Sequence, residues 1–393
     1  MSAQISATGV LIIPNGTKTI KQYEYRGNDN ITMVVIPRSV TKISRAAFEN
    51  CSQLSCIKGG DGLKEIGISA FKGTAIEEIV LPKSLKRVRE YGFSECKNLI
   101  TVEFEGDDTV IEEGCFSGCP KLHTAILPMD MNVMPDSLFY ECANLECVAA
   151  SHNLKSIGNS AFSYCHNLKR IEFYSFHESA ELMLPSSVTT IGDFAFFGCS
   201  SLTSVIIPNS VTSIGISTFH NCSGLTSVTI PKSVTTINDN AFRGCRGLTS
   251  VIIPSSVTSI GFCAFSDCSG LTSVTIPSSV TTIGDYAFSD CSGLTSVTIP
   301  NSVTSIGFCA FQNCSNLSKA IIGSSIKSIK KGAFEVCMKL TDVTFTSFVI
   351  KYIEDGIFDN CTNLKRINVP ASAIDTYKRL LPKDLHNKLV GFV

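Results

Sequence analysis

Eighteen cysteines and six histidines are the side chains of this sequence with the widest chemistry, through disulfides, metal ligation or acid–base transfer. Thirteen of the cysteines share one register: Cys51, Cys96, Cys119, Cys142, Cys165, Cys199, Cys222, Cys245, Cys268, Cys291, Cys314, Cys337 and Cys361, most of them 23 residues apart. If each occupies the same place in a stacked unit, neighbouring Cβ atoms lie near the strand spacing of about 4.8 Å, beyond the roughly 3.5 to 4.5 Å that a disulfide accepts. No C-x-x-C pair occurs, and single ligands at such a spacing do not build a tetrahedral zinc site. The register therefore reads as a column of small buried residues with weak S–H donors, in a reducing compartment. Cys263 and Cys309 repeat two units apart within SIGFCAF and cannot pair inside one stack.

The histidines (His123, His152, His166, His177, His220 and His386) are scattered over different units, and His166 and His220 read as solvated turn residues. Serine and threonine recur in every unit, whereas a nucleophile needs one singular neighbourhood with a base in reach. There is no G-x-G-x-x-G after a strand, no phosphate-binding glycine loop and no H-E-x-x-H. The expectation is a protein without catalytic, cofactor-binding or metal-binding residues, and not an enzyme. A net charge of −1 supplies no field to gather nucleic acid. The only apolar run near the start is Val10 to Ile13, and no stretch approaches the roughly 18 apolar residues of a membrane span. By sequence this predicts no membrane insertion and a cytoplasmic address.

The elements that carry these residues follow from the period. Phenylalanine recurs at 48, 71, 93, 116, 139, 162, 196, 219, 242, 265, 288, 311, 334 and 358, with Tyr25 in the same column of a degenerate first unit. Within one unit, Leu225, Val228 and Ile230 have L-x-x-L-x-L spacing, so a strand over about 226–230 turns Val228 and Ile230 inward and Ser227 and Thr229 outward. Pro208, Pro231, Pro254, Pro277 and Pro300 mark the rim where that strand stops. The next segment, SVTTINDNAF, buries Val234, Ile237, Ala241 and Phe242 on the opposite wall, as an extended piece and a helical turn. One unit has no core of its own; stacked units share one.

The spacing and the SVTSIG-x-x-AF-x-x-C core resemble the BspA-like group of leucine-rich repeat proteins, over about residues 10 to 370. The resemblance implies a right-handed β-solenoid with a parallel sheet on the concave face and short helical turns or extended segments on the convex face. It also implies an adhesin-like or scaffold protein at a cell surface that binds host or matrix proteins, an address opposed to the cytoplasmic one. The expected organisation is a capping coil over 1–36, the solenoid over 37–370 with an insertion at 174–184, and a helical cap over 371–393.

Candidate partner contacts then lie on the outside. One is the neutral, hydroxyl-rich concave wall, Ser227, Thr229, Ser250, Ser273, Thr275, Ser296 and Thr298, suited to a protein segment or a glycan. Another is the insertion, where Phe162 to Phe196 spans 34 residues and Tyr174, Phe176 and His177 form an aromatic lobe. A third is the acidic coil of Glu103, Glu105, Asp107, Asp108, Glu112 and Glu113, read as a solvated turn. Over 186–314, coils alternate with a period of 46, Asp193, Asp239 and Asp285 marking one kind and Ile216, Phe262 and Phe308 the other. Such copies favour avidity for a repetitive partner, or a self-assembling rod with no specific ligand. In the tail, Ser372 and Asp375 have capping-box spacing, and Ile374, Tyr377, Leu380 and Leu381 line one helical face that should cover the last coil.

Overall fold

A computed structural model describes residues 4–173 and 182–393. The chain divides into two compact units, Met1–Leu202 and Thr203–Val393. Each is a parallel-sheet β-solenoid built from the repeat.

In the first unit, Val10–Ile12, Met33–Ile36 and Cys56–Gly59 form one parallel ladder, closed at its outer edge by Gln4–Ile5, which pairs antiparallel with Val10–Ile12. A second ladder runs from Glu78–Leu81 through Thr101–Phe104, Thr124–Ile126 and Cys147–Ala150 to Arg170–Phe173. Pairing is in register with the repeat, as in Val102 opposite Ile79 and Ala125, so one inward column meets the next directly. In the second unit the same face carries Ser204–Ile206 with Ser227–Thr229, Ser250–Ile252 with Ser273–Thr275, and a longer ladder from Ser296–Ile299 to Arg366–Pro370. The rim prolines accept from the turn beyond them, Val257 N donating to the Pro254 carbonyl at 3.0 Å.

The opposite wall differs from the sequence expectation in its detail. Its extended piece is a two-residue strand in a ladder of its own, such as Thr236–Ile237, Ser259–Ile260, Thr282–Ile283 and Ser305–Ile306. In place of the expected helical turn, the chain then makes a series of tight turns with two left-handed residues, placed two before and two after each core phenylalanine: Ala46 (φ 51°) and Asn50 (φ 58°) flank Phe48, and Cys309 (φ 51°) and Asn313 (φ 55°) flank Phe311. Left-handed backbone costs a non-glycine residue about 1 to 2 kcal/mol. The offset is visible in the hydrogen bonds. Alternation turns every second N–H toward the next coil, so that Ala46 N, Phe48 N and Asn50 N donate to Ile68, Ala70 and Lys72 carbonyls at 2.7 to 2.8 Å.

Between the two walls the side chains stack like with like. Phe48, Phe71, Phe93 and Phe116 are buried, with neighbouring centroids 5.2 to 5.8 Å apart, and Phe242, Phe265, Phe288 and Phe311 repeat the arrangement at 5.2 to 5.4 Å. Tyr25 stacks on Phe48 at 5.2 Å, as its place in the column predicts. Each buried ring contributes about 1.5 to 3 kcal/mol of transfer free energy.

The tail keeps its helix and adds a strand. Ile374–Leu380 is an α-helix whose Tyr377 is fully buried, packs on Phe345 at 5.1 Å and donates its hydroxyl to the Ser347 carbonyl at 3.0 Å. The capping box does not form: the N-cap is Ala373, without a side-chain cap, and Ser372 is exposed. Leu389–Phe392 then pairs in parallel with Arg366–Pro370, extending the sheet where the sequence pattern predicts only a helical cap.

Candidate binding surface

The cysteine column comes first, since its residue type promised most chemistry. All eighteen cysteines are free thiols. The column thiols reach back to the carbonyl of the aromatic residue in the preceding coil: Cys51 Sγ to Tyr25 O at 2.9 Å, Cys119 to Phe93 at 3.3 Å, Cys165 to Phe139 at 3.1 Å, Cys291 to Phe265 at 3.1 Å, Cys361 to Phe334 at 3.0 Å. Burial pushes the Cys268 thiol up to about 12, so it stays protonated and keeps donating. Thr74, which stands in the cysteine column of its coil, instead bonds within that coil, donating its hydroxyl to Phe71 O at 2.9 Å, and lies 3.3 Å from Cys96 Sγ of the next. The column is thus a hydrogen-bonded spine. Among the described residues, no group of three or more His, Cys, Asp or Glu is arranged to hold a metal ion.

The hydroxyls on the sheet face of the second unit fall into two kinds. Those in the column just before each strand are spent on the fold: Thr226 Oγ1 donates to the Thr203 carbonyl at 3.0 Å, Thr272 to Thr249 at 3.1 Å, Thr295 to Thr272 at 3.4 Å and Thr341 to Ser318 at 3.2 Å. A matching ladder on the opposite wall links Thr258, Thr281 and Thr304 to the preceding coil at 3.3 to 3.4 Å. By contrast Ser227, Thr229, Ser250, Ser273, Thr275, Ser296 and Thr298 are exposed, and their hydroxyls bond to no other described residue. The predicted wall is therefore brought together on one face, with hydroxyls spaced by the strand separation of about 4.8 Å. Ile252 interrupts it at 80% exposure, and Ser204, which continues its column, is 8% exposed and turned away from solvent.

Tyr174, Phe176 and His177 lie outside the described residues. The end of the same insertion is core: Leu182 and Leu184 are 1% and 6% exposed. Of the acidic coil, Asp108 is held by Lys86 at 2.6 Å, and Glu113 accepts from the Tyr91 hydroxyl at 2.9 Å. Glu112 stands beside Glu90 on the adjacent coil; burial and that neighbour raise its carboxyl above the usual range, although Arg87 approaches at 3.4 Å. His166 is exposed and holds the Gly198 carbonyl through Nδ1 at 2.9 Å. His220 is half-buried rather than solvated, and burial lowers its pKa.

Two features of this surface were not read from the sequence. The 46-residue alternation is a capping device: the Asp239 carboxylate accepts from Phe262 N, and Asp285 from Phe308 N, both at 2.8 Å. The rings so placed meet edge to face, Phe262 on Tyr286 at 5.8 Å and Tyr286 on Phe308 at 5.2 Å, with Phe262 left 44% exposed.

The family model for the BspA type leucine rich repeat region matches residues 18–146, 64–179, 170–295 and 258–379. The chain belongs to that family. A leucine-rich repeat protein from Bacteroides ovatus superposes with a TM-score of 0.71 at 27% identity, over 98% of this chain and 92% of the other. The pneumococcal vaccine antigen PcpA shares the fold at a TM-score of 0.61 and 19% identity, over 100% of this chain and 99% of its own. A comparison with curated proteins finds no match.

Proposed function

We propose that this BspA-type chain is a non-catalytic binding module whose second unit presents its sheet face to an extended, neutral partner, a protein segment or a glycan. One observation carries the reading. On that face one threonine column is consumed by coil-to-coil hydrogen bonds, while the two columns beside it, Ser227 to Ser296 and Thr229 to Thr298, offer hydroxyls that bond to no other group among the described residues. Exposed side-chain hydroxyls at one repeated spacing act together only on a ligand that repeats too, so affinity comes from many weak contacts. Lys232 is the charge nearest in sequence to these columns, and the face itself carries none between Ser227 and Thr298.

The test is capture from arrays of extracellular-matrix proteins and neutral polysaccharides. A Thr229→Lys, Thr275→Lys, Thr298→Lys variant should lose the neutral ligands that the parent protein captures. Deleting residues 174–181, which spares the buried Leu182 and Leu184, measures the contribution of the insertion. Neutral ligands retained in full by the lysine variant would refute the reading.

A further inference from the structure

The first unit contains a break that the repeat does not predict. Cys56–Gly59 pairs with Met33–Ile36 on one side, and Glu78–Leu81 pairs with Thr101–Phe104 on the other, but no backbone hydrogen bond joins Cys56–Gly59 to Glu78–Leu81 among the described residues. Two local causes are readable. Phe71 and Phe93 are 22 residues apart rather than 23, so the turn that delivers the second strand is one residue short. Gly59 also occupies the inward column filled by Ile36 before it and Leu81 after it, with φ at +78°, and a Cβ there would lie 2.3 Å from the Ile36 carbonyl oxygen. The column loses a side chain and cannot regain one.

The space so left is a cavity of about 400 Å³. Its floor reaches the core at Leu63, Phe71 and Ile79, and its mouth is ringed by Asp61, Glu78 and Glu105. These three carboxylates are exposed and make no ion pair or hydrogen bond with the described residues. Elsewhere in this unit Glu49, Glu65, Glu95, Asp108 and Glu146 are each met by a lysine or arginine of a neighbouring coil at 2.6 to 3.1 Å. The basic residues closest in sequence, Lys58, Lys64 and Lys83, are exposed and do not line the cavity.

We propose that this break is a docking site for an extended peptide segment that inserts one lysine or arginine side chain. The apolar floor suits the aliphatic stem of such a side chain, and the ring of unpaired carboxylates suits its charged head. Backbone groups left open along both facing strand edges favour a peptide over a free amine, because an extended chain satisfies them by strand addition. An anionic ligand would meet only like charge, and a neutral glycan would leave the carboxylates without a partner. The site lies in the first unit and does not depend on the hydroxyl face of the second.

The experiment uses the full chain and fluorescence anisotropy. The probe is a fluorescein-labelled, end-blocked peptide of alternating threonine and valine with one central lysine, compared with the same peptide carrying acetyl-lysine or glutamate there. The lysine peptide should bind, with acetylation weakening it at least about tenfold and glutamate abolishing it. An Asp61→Asn, Glu78→Gln, Glu105→Gln variant should also lose about tenfold while its unfolding temperature is unchanged, and the Thr229→Lys, Thr275→Lys, Thr298→Lys variant should bind the peptide normally. Equal binding of the lysine and acetyl-lysine peptides, undiminished binding to the carboxamide variant, or no binding at about 1 mM peptide would each overturn the proposal.

Discussion

The two units have the same kind of interior, but the coils within each are joined differently on the outside. In Met1–Leu202 neighbouring coils are laced by charge, as in Arg26 to Glu49, Lys42 and Arg89 to Glu65, and Lys72 to Glu95. In Thr203–Val393 the same job falls mainly to threonine hydroxyls donating to the carbonyl one coil back. Charges differ from coil to coil, so the first unit has a varied surface that includes the cavity beside Gly59. Hydroxyls repeat, so the second offers the same surface many times. A repeat protein can thus keep its core constant and place specificity in one part and avidity in another.

The largest expected effects test whether the interiors really are alike. Phe93→Ala in the first unit and Phe288→Ala in the second should each cost about 3 to 5 kcal/mol in urea unfolding, because each empties the same stacked position. A markedly smaller loss in one unit would show that the columns are not equivalent.

Thiol accessibility separates the units next. Cys56 and Cys147, both in the first unit, are the only cysteines that are partly exposed. In the native protein at mildly alkaline pH they should label first, Cys56 ahead of Cys147, whose thiol is raised by burial and by Glu172. The second unit should label only on unfolding, and early labelling of Cys268 or Cys291 would break the contrast.

A third test is electrostatic and confined to the first unit. Glu112 has a folded-state pKa above its ordinary value, so it binds its proton more tightly folded than unfolded. The stability it lends is complete below the unfolded carboxylate pKa and is lost as pH rises through the folded one. Glu90→Gln removes the neighbouring charge and should therefore stabilise the protein by about 1 kcal/mol at neutral pH and by little in acid. Urea unfolding at both pH values measures the difference, and an equal effect at the two would contradict it.

The smallest effect concerns turn strain in the second unit. Val336 is β-branched and left-handed, at φ 58°, where related turns carry Asn313 or Asn360. Val336→Asn should stabilise by about 1 kcal/mol, read as a raised unfolding temperature.

Much of this was legible in one sequence, because a repeat states each rule many times. The inward Leu225, Val228 and Ile230 pattern, the phenylalanine column and the buried cysteines follow from spacing and residue size. What spacing did not reveal was which hydroxyls the fold itself uses. Thr226 and Thr229 are the same residue type three positions apart, yet one hydroxyl faces the carbonyl of the coil before it and the other faces solvent. Likewise Tyr91, Tyr286 and Cys309 gave no sign of left-handed backbone, because the hydrogen bonds that compensate it are made to the next coil. The cavity did leave a trace, a glycine in an isoleucine column beside a 22-residue interval, which reading for the consensus passed over. The final strand Leu389–Phe392 left less, since its partner is set by the path of the tail.

The division between structural and free hydroxyls is the claim on which the functional reading turns, and it is tested directly by two matched triple variants in urea unfolding. Thr226→Val, Thr272→Val and Thr295→Val together should lower stability by about 0.5 to 1 kcal/mol per site, while Thr229→Val, Thr275→Val and Thr298→Val should leave it unchanged. Equal losses from the two sets would mean that the exposed hydroxyls also serve the fold, and the second unit would have no free rank to offer a partner.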